Sequence, residues 1–197
     1  MNEAIIGIST TIIGVVGTLS AIWLKHYLER RKQQDCIIDR TVQEDTEIIT
    51  RLDELKDEIK ADRISIFSFH NGGEYYSGKS MQKLSCSYEV VQPGVARTQL
   101  AMQNIPVSAC LATLKQLMEN KEFHCYDVDA NYPESACKYQ LVENGVKSTY
   151  QYAIFDLNKK AIGILRADYV LDQEELSDEG HEALKYLAIK LPGYLVK

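Results

Sequence analysis

Residues 4–24, AIIGISTTIIGVVGTLSAIWL, form an uncharged apolar run of 21 residues that stops at a basic cluster. About 20 residues of helix cross the hydrocarbon core of a bilayer, so the run predicts a single transmembrane helix. Lys25, Arg30, Arg31 and Lys32 follow it against Glu29 alone, while the tail 1–3 carries Glu3. Positively charged flanks stay on the cytoplasmic side. The expectation is a single-pass protein of the inner (cytoplasmic) membrane, with its N-terminus outside and everything past residue 25 in the cytoplasm. Two alternatives compete. A buried helix of a soluble fold is one. A cleaved signal peptide is the other, but such a peptide carries its charge before the apolar core and ends in small residues. Here the charge follows, and the run ends Ile22-Trp23-Leu24. Trp23 and Tyr27 suit the headgroup region.

The remainder divides into a juxtamembrane and linker helix, 25–61, and a cytoplasmic domain, 62–197, long enough to bury a core. Residues 35–62 carry ten acidic and four basic side chains, whereas 63–197 carry sixteen and fourteen, so the acidity is local to the linker. A net charge of −6 argues against nucleic acid as a partner, because phosphate binding needs a basic surface. The five cysteines, Cys36, Cys86, Cys110, Cys125 and Cys137, include no CxxC pair. In a reducing cytoplasm they read as small buried hydrophobes. The reverse topology would allow disulfides, with one thiol left over.

Two stripes point to self-association into a homo-oligomer. Gly7, Thr11, Gly14, Thr18 and Ala21 fall on one face of the first helix, and small faces let membrane helices approach closely. Ile48, Leu52, Leu55 and Ile59 follow a 4-3-4 spacing on the linker helix. That second stripe can pair with another chain or pack on the sheet of its own domain.

The domain reads as α+β. Arg63–His70 is a strand ending at the turn signal Asn71-Gly72-Gly73. Residues 82–92 alternate Leu84, Cys86, Tyr88 and Val90 on one face of a second strand. Pro106 opens a helix over 107–120, a short strand spans 123–128, and a short helix runs from Tyr132 to Glu143. Ser148–Leu157 and Ala161–Tyr169 flank Asn158-Lys159-Lys160 as a hairpin. Asp178–Tyr194 is the closing helix, with Leu184, Leu187, Ala188 and Leu191 on its apolar face.

This order, with the segment Val142-Glu143-Asn144-Gly145-Val146-Lys147-Ser148, the strand Ala161-Ile162-Gly163-Ile164-Leu165 and the closing helix with Leu184 and Ala188, resembles a GAF domain over residues 45–195. PAS domains are the fold-level alternative. The resemblance implies a central antiparallel sheet, terminal helices packed on one face and often used for dimerisation, and a small-ligand site on the other. It brings no cofactor with it, since one fold hosts many functions. No cysteine is placed for bilin attachment, and the asparagine-lysine-phenylalanine signature of cyclic-nucleotide GAF domains is missing.

The chain has a constellation of its own at the first hairpin. His70, Asn71, Gly72, Gly73, Tyr75, Tyr76 and Gly78 combine backbone freedom, hydrogen-bonding groups and stacking rings. With Glu89 on the second strand they are the candidate ligand residues, although turns use the same residue types. A metal site is short of ligands, because adjacent His124 and Cys125 face opposite ways on a strand and only Cys137 could join one of them. The leading expectation is a membrane-anchored, non-enzymatic sensor or interaction module for a small ligand or protein partner. One alternative is a membrane-bound thiol enzyme resembling free-methionine-sulfoxide reductases, with Cys86, Cys110 and Cys125 in one pocket and His70 lowering a thiol pKa. The other is a ligand-free structural or regulatory membrane protein, such as a phage-encoded accessory factor.

Overall fold

The structure, a computed structural model, describes the backbone of residues 2–195 and the side chains of residues 16–30 and 37–195. The chain divides into two units, 1–45 and 46–197. Helix α1 runs unbroken from Asn2 to Ile59. The two helices expected from the sequence are therefore one element, because the joint KHYLERRKQQ is built of good helix formers and contains neither glycine nor proline. Among the described residues no helix is long and apolar enough to cross a membrane. Most of the expected span 4–24 lies outside the described side chains, and Gly7, Thr11 and Gly14 lie there with it. Thr18 is exposed, as are Val16, Leu19, Ile22, Trp23 and Leu24.

The second unit is built on a six-stranded antiparallel sheet. Its strands are β1 (Arg63–Glu74), β2 (Ser80–Val91), β3 (Ile105–Pro106), β4 (Glu122–Cys125), β5 (Ser148–Phe155) and β6 (Ala161–Tyr169). Their order across the sheet is β3-β2-β1-β6-β5-β4. Between β3 and β4 lie a 3-10 turn, Val107–Cys110, and helix α2, Leu111–Asn120. Helices α3 (Val128–Asn131) and α4 (Ala136–Glu143) separate β4 from β5. Helix α5 (Asp178–Lys190) and the turn α6 (Pro192–Leu195) close the chain. Helix α4 starts at Ala136, not at the expected Tyr132, and Val128, expected to end a strand, opens α3; serine caps set the starts of α4 and α5. Ser135 Oγ accepts from Lys138 N at 3.2 Å, and Ser177 Oγ accepts from Gly180 N at 3.2 Å with Asp178 and Glu179 in the first turn of α5.

One face of the sheet packs on helices. Ile64, Ile66, Tyr150, Tyr152, Ile154, Leu165 and Ala167 meet Leu184, Leu187, Ala188 and Leu191 of α5 and Ile48, Leu52 and Leu55 of α1. Of the two roles open to the α1 stripe, these three residues serve the domain's own core. Leu52 is fully buried within a single chain, so it has no surface left for a second copy. Ile59 packs against the same cluster partly buried.

The other face carries Phe67, Leu84, Cys86 and Ile164 beneath a cover of α2, α3 and α4, with Leu114, Leu117, Val128, Tyr132 and Leu141 packed against it. A β-bulge corrects the expected alternation on β2. Ile66 pairs with Tyr88 but Phe67 pairs with Cys86, so Ser87 is the extra residue. One inserted residue reverses which face the following side chains take. Tyr88 and Val90 therefore join the helical face, and Leu84 and Cys86 the covered one. The first turn also lies further along than expected. Strand β1 continues through Asn71-Gly72-Gly73 to Glu74, and the turn is made at 75–79, where Gly78 takes a left-handed φ of 78°.

Candidate functional site

Alternate residues of four strands place an unusual set of side chains on the covered face. Arg63 and Ser65 come from β1, Glu89 from β2, Thr149 and Gln151 from β5, and Arg166 and Asp168 from β6. All are buried. Charges so far from water persist only when paired, and here they are. Arg166 Nε donates to Asp168 Oδ2 at 3.0 Å, and Thr149 Oγ1 donates to Asp168 Oδ1 at 2.8 Å. Arg63 stands between the two acids, with Nε 3.4 Å from Glu89 Oε1 and Nη1 3.5 Å from Asp168 Oδ2. Its Nη2 donates to the Ala96 carbonyl at 2.9 Å. Glu89 is caged further by Thr98, whose N and Oγ1 donate at 3.0 and 2.7 Å, and by Gln99 N at 3.2 Å.

The far side of Arg166 is different. Its guanidinium lies over the Phe67 ring, 4.5 Å from the centroid, and its Nη2 is buried without a hydrogen-bond partner. Arg166 lines a cavity of about 30 Å³ between the sheet and its cover. Thr113 of α2, Tyr132 and Gln151 line the same cavity, and Leu84, Ile105, Leu114 and Ile164 make its apolar walls. Thr113 Oγ1 is also buried, with the Tyr132 hydroxyl as its neighbour. Gln151 Nε2 donates to the Tyr132 hydroxyl at 3.4 Å. Burial pushes the Tyr132 phenol up, so it stays a neutral donor at physiological pH.

Cys110 and Cys137 also line the cavity and are disulfide-bonded to one another, with Cα atoms 5.3 Å apart. This corrects the reading of both as free thiols. The bond ties the start of α2 to α4 directly over the cavity. Cys86 and Cys125 are free and buried beside it. Desolvation pushes the Cys86 thiol up to about 12 and the Cys125 thiol up as well, so both are poor nucleophiles. The three cysteines of the thiol-enzyme alternative do not share the cavity, and His70 is not at it.

The first hairpin is a separate place. His70 Nε2 lies 2.9 Å from Ser85 Oγ, and Asn71 Oδ1 accepts from Gly73 N and Ser80 Oγ, each at 3.0 Å. Gly72, Gly73, Tyr75, Tyr76 and Gly78 are exposed around it. None of these residues lines the cavity. Glu89 lies on the covered face, but Arg63, Thr98 and Gln99 occupy its carboxylate.

A third cluster sits on the helical face. The Tyr152 hydroxyl lies 3.1 Å from His124 Nε2 and 2.6 Å from His181 Nδ1, and the two imidazoles are 4.3 Å apart at their centroids. Burial, then the neighbouring His181, hold His124 below its ordinary value against the pull of Glu122.

No family model and no curated protein matches the sequence. Solved structures match the fold. The blue-light-absorbing form of the PixJ GAF domain of Thermosynechococcus elongatus superposes with a TM-score of 0.61 at 14% identity, over 78% of this chain and 84% of that one. A phycoerythrobilin-bound GAF domain from a cyanobacterial phytochrome gives 0.60 at 16% identity, over 80% and 88%. A far-red cyanobacteriochrome photoreceptor gives 0.59 at 16% identity, over 84% and 96%. The fold is that of a GAF domain: an antiparallel six-stranded sheet between terminal helices and a covering layer, in an α+β chain.

Proposed function

We propose that this chain is a membrane-anchored, non-enzymatic sensor module whose GAF-fold domain takes a small molecule in the cavity beneath α2 and α4. The observation that carries the reading is Arg166, a cavity-lining residue whose buried guanidinium has one nitrogen unpartnered. A buried donor without an acceptor costs roughly 1–3 kcal/mol, and a bound acceptor removes that cost. Two of the structural neighbours, a photoreceptor and a bilin-bound domain, use this fold for sensing. A tetrapyrrole does not fit here, because about 30 Å³ holds only a few water-sized groups. The anchor rests on the apolar run 4–24, its basic flank, and the exposed Val16, Leu19, Ile22 and Trp23.

Native mass spectrometry of the full chain in detergent tests the reading. Wild type carries or takes up a small molecule, and Leu114→Trp, which fills the cavity, does not. Equal loading of both proteins removes the cavity as the site. Extraction of the full chain from membranes by alkaline carbonate removes the anchor.

A further inference from the structure

We infer that the cavity ligand is a short-chain monocarboxylate, bound through Arg166 and Thr113; this rests on the cavity being the ligand site. Of the polar residues that line the cavity, Arg166 is a donor only, while Thr113, Tyr132, Gln140 and Gln151 can each donate and accept. Arg166 Nη2, from strand β6, is buried and unpartnered, and Thr113 Oγ1, from helix α2, is buried with only the Tyr132 hydroxyl beside it. The Tyr132 hydroxyl accepts from Gln151 and meets Thr113 as well. The two carboxylates nearby are turned away from the cavity. Asp168 is taken by Arg166 Nε, Thr149 and Arg63, and Glu89 by Thr98, Gln99 and Arg63.

A buried guanidinium with an unpartnered nitrogen favours a ligand that brings an anionic acceptor. A carboxylate meets that description, and its bond to a guanidinium is about twice as strong as one between neutral groups. The matching amide carries no charge to set against the guanidinium, so it forgoes the charge-assisted bond. The remaining walls, Leu84, Ile105, Leu114 and Ile164, are apolar and suit an alkyl tail. The cavity volume limits that tail. At about 30 Å³ the site holds two or three water-sized groups, on the scale of one water per roughly 10–15 Å³, so acetate and propionate already need the cover to give slightly. Longer acids need the cover to shift.

The experiment is a titration of the full chain with sodium acetate, propionate and octanoate, and with propionamide, against sodium chloride at equal ionic strength. Binding is read by melting temperature and by the carboxyl resonance of ¹³C-labelled propionate. Propionate is expected to raise the melting temperature saturably, with propionamide and octanoate inert. Thr113→Val keeps the side-chain shape and removes one donor, so it is expected to weaken propionate binding about tenfold or more. Arg166→Lys is expected to abolish it, and Thr113→Val keeps the test valid if Arg166→Lys fails to fold. Equal binding of propionate and propionamide overturns the carboxylate assignment and leaves the cavity as a ligand site. Equal propionate binding by wild type, Thr113→Val and Leu114→Trp places the acid elsewhere and overturns the proposal. If no compound binds, and wild type and Leu114→Trp carry nothing in native mass spectra, the cavity holds water only and both readings fall.

Discussion

The Cys110–Cys137 bond sets a quantitative expectation. The two residues are 27 apart in sequence. Cross-linking a loop of that length removes roughly 12 cal/mol/K of entropy from the unfolded chain, or about 3.6 kcal/mol at 25 °C. The domain that unfolds is 46–197, roughly 150 residues. At about 2.1 cal/mol/K per residue its unfolding entropy is about 320 cal/mol/K, so losing the bond lowers the melting temperature by about 11 °C. Wild type with dithiothreitol and the double variant Cys110→Ser/Cys137→Ser should melt together, both about 11 °C below untreated wild type. Alkylation of the unfolded, unreduced protein should then label Cys86 and Cys125 but neither Cys110 nor Cys137. Labelling of Cys110 and Cys137, or a melting temperature indifferent to reductant, refutes the reasoning. The same alkylation in intact cells before lysis bears on topology. The basic cluster after residue 24 calls for a cytoplasmic domain, where such a pair is kept reduced, whereas a bond that persists calls for an oxidising compartment.

Three other perturbations have clear signs. An added Cβ at Gly163 would lie 2.5 Å from the Phe67 carbonyl oxygen on the paired strand, so Gly163→Ala should cost about 1–3 kcal/mol by urea denaturation. Gly72→Ala meets only the flexible Lys83 side chain and should change little; equal effects at the two sites would defeat the argument. Asp168→Asn leaves Arg63 and Arg166 without their shared partner, and chemical denaturation should register a loss of about 3–5 kcal/mol; wild-type stability would show that the pair adds nothing. His124 is a base held below its ordinary value in the folded state, so the unfolded chain binds more protons just below pH ~6.5. Its contribution is present above that pH and lost as pH falls toward the lowered value. Melting temperature should therefore drop more steeply from pH 7.5 to 5 in wild type than in His124→Gln, and parallel curves would contradict it.

The parts of the fold legible in the sequence are those where local chemistry and tertiary demand agree. The hairpin β5–β6 announces itself by two alternating strands around Asn158-Lys159-Lys160, and Lys159 takes a left-handed φ of 62°. Helix α5 is bounded by Ser177 and carries its leucines on one face. Strand β3 is only two residues long, too short for any period. The bulge at Ser87 leaves no mark in an alternation that reads continuously through it. The site was missed for a related reason. Arg63, Arg166 and Asp168 are charged, and charged residues in strands read as solvent-facing. A signal did exist: Arg166 and Asp168 are two apart between Leu165, Ala167 and Tyr169, in a strand apolar along its other face. Oppositely charged residues with that spacing mark a buried pair when the sheet is covered on both sides. The pairing of Cys110 with Cys137 was beyond reach, since cysteine counts do not give connectivity.

The two ends of the sheet have a consequence for how this domain meets others. Its outermost strands are β3, two residues long and ending in Pro106, and β4, four residues long. A proline offers no N–H, and stubs of this length present almost no ladder for an incoming strand. Neither edge strand therefore offers more than a stub for a neighbouring polypeptide to extend. Assembly then falls mainly to side chains, through the outward faces of α1 and α5 or the exposed tip of the first hairpin. That spares the domain the commonest route by which sheet proteins aggregate, even at the high local concentration a membrane surface would impose.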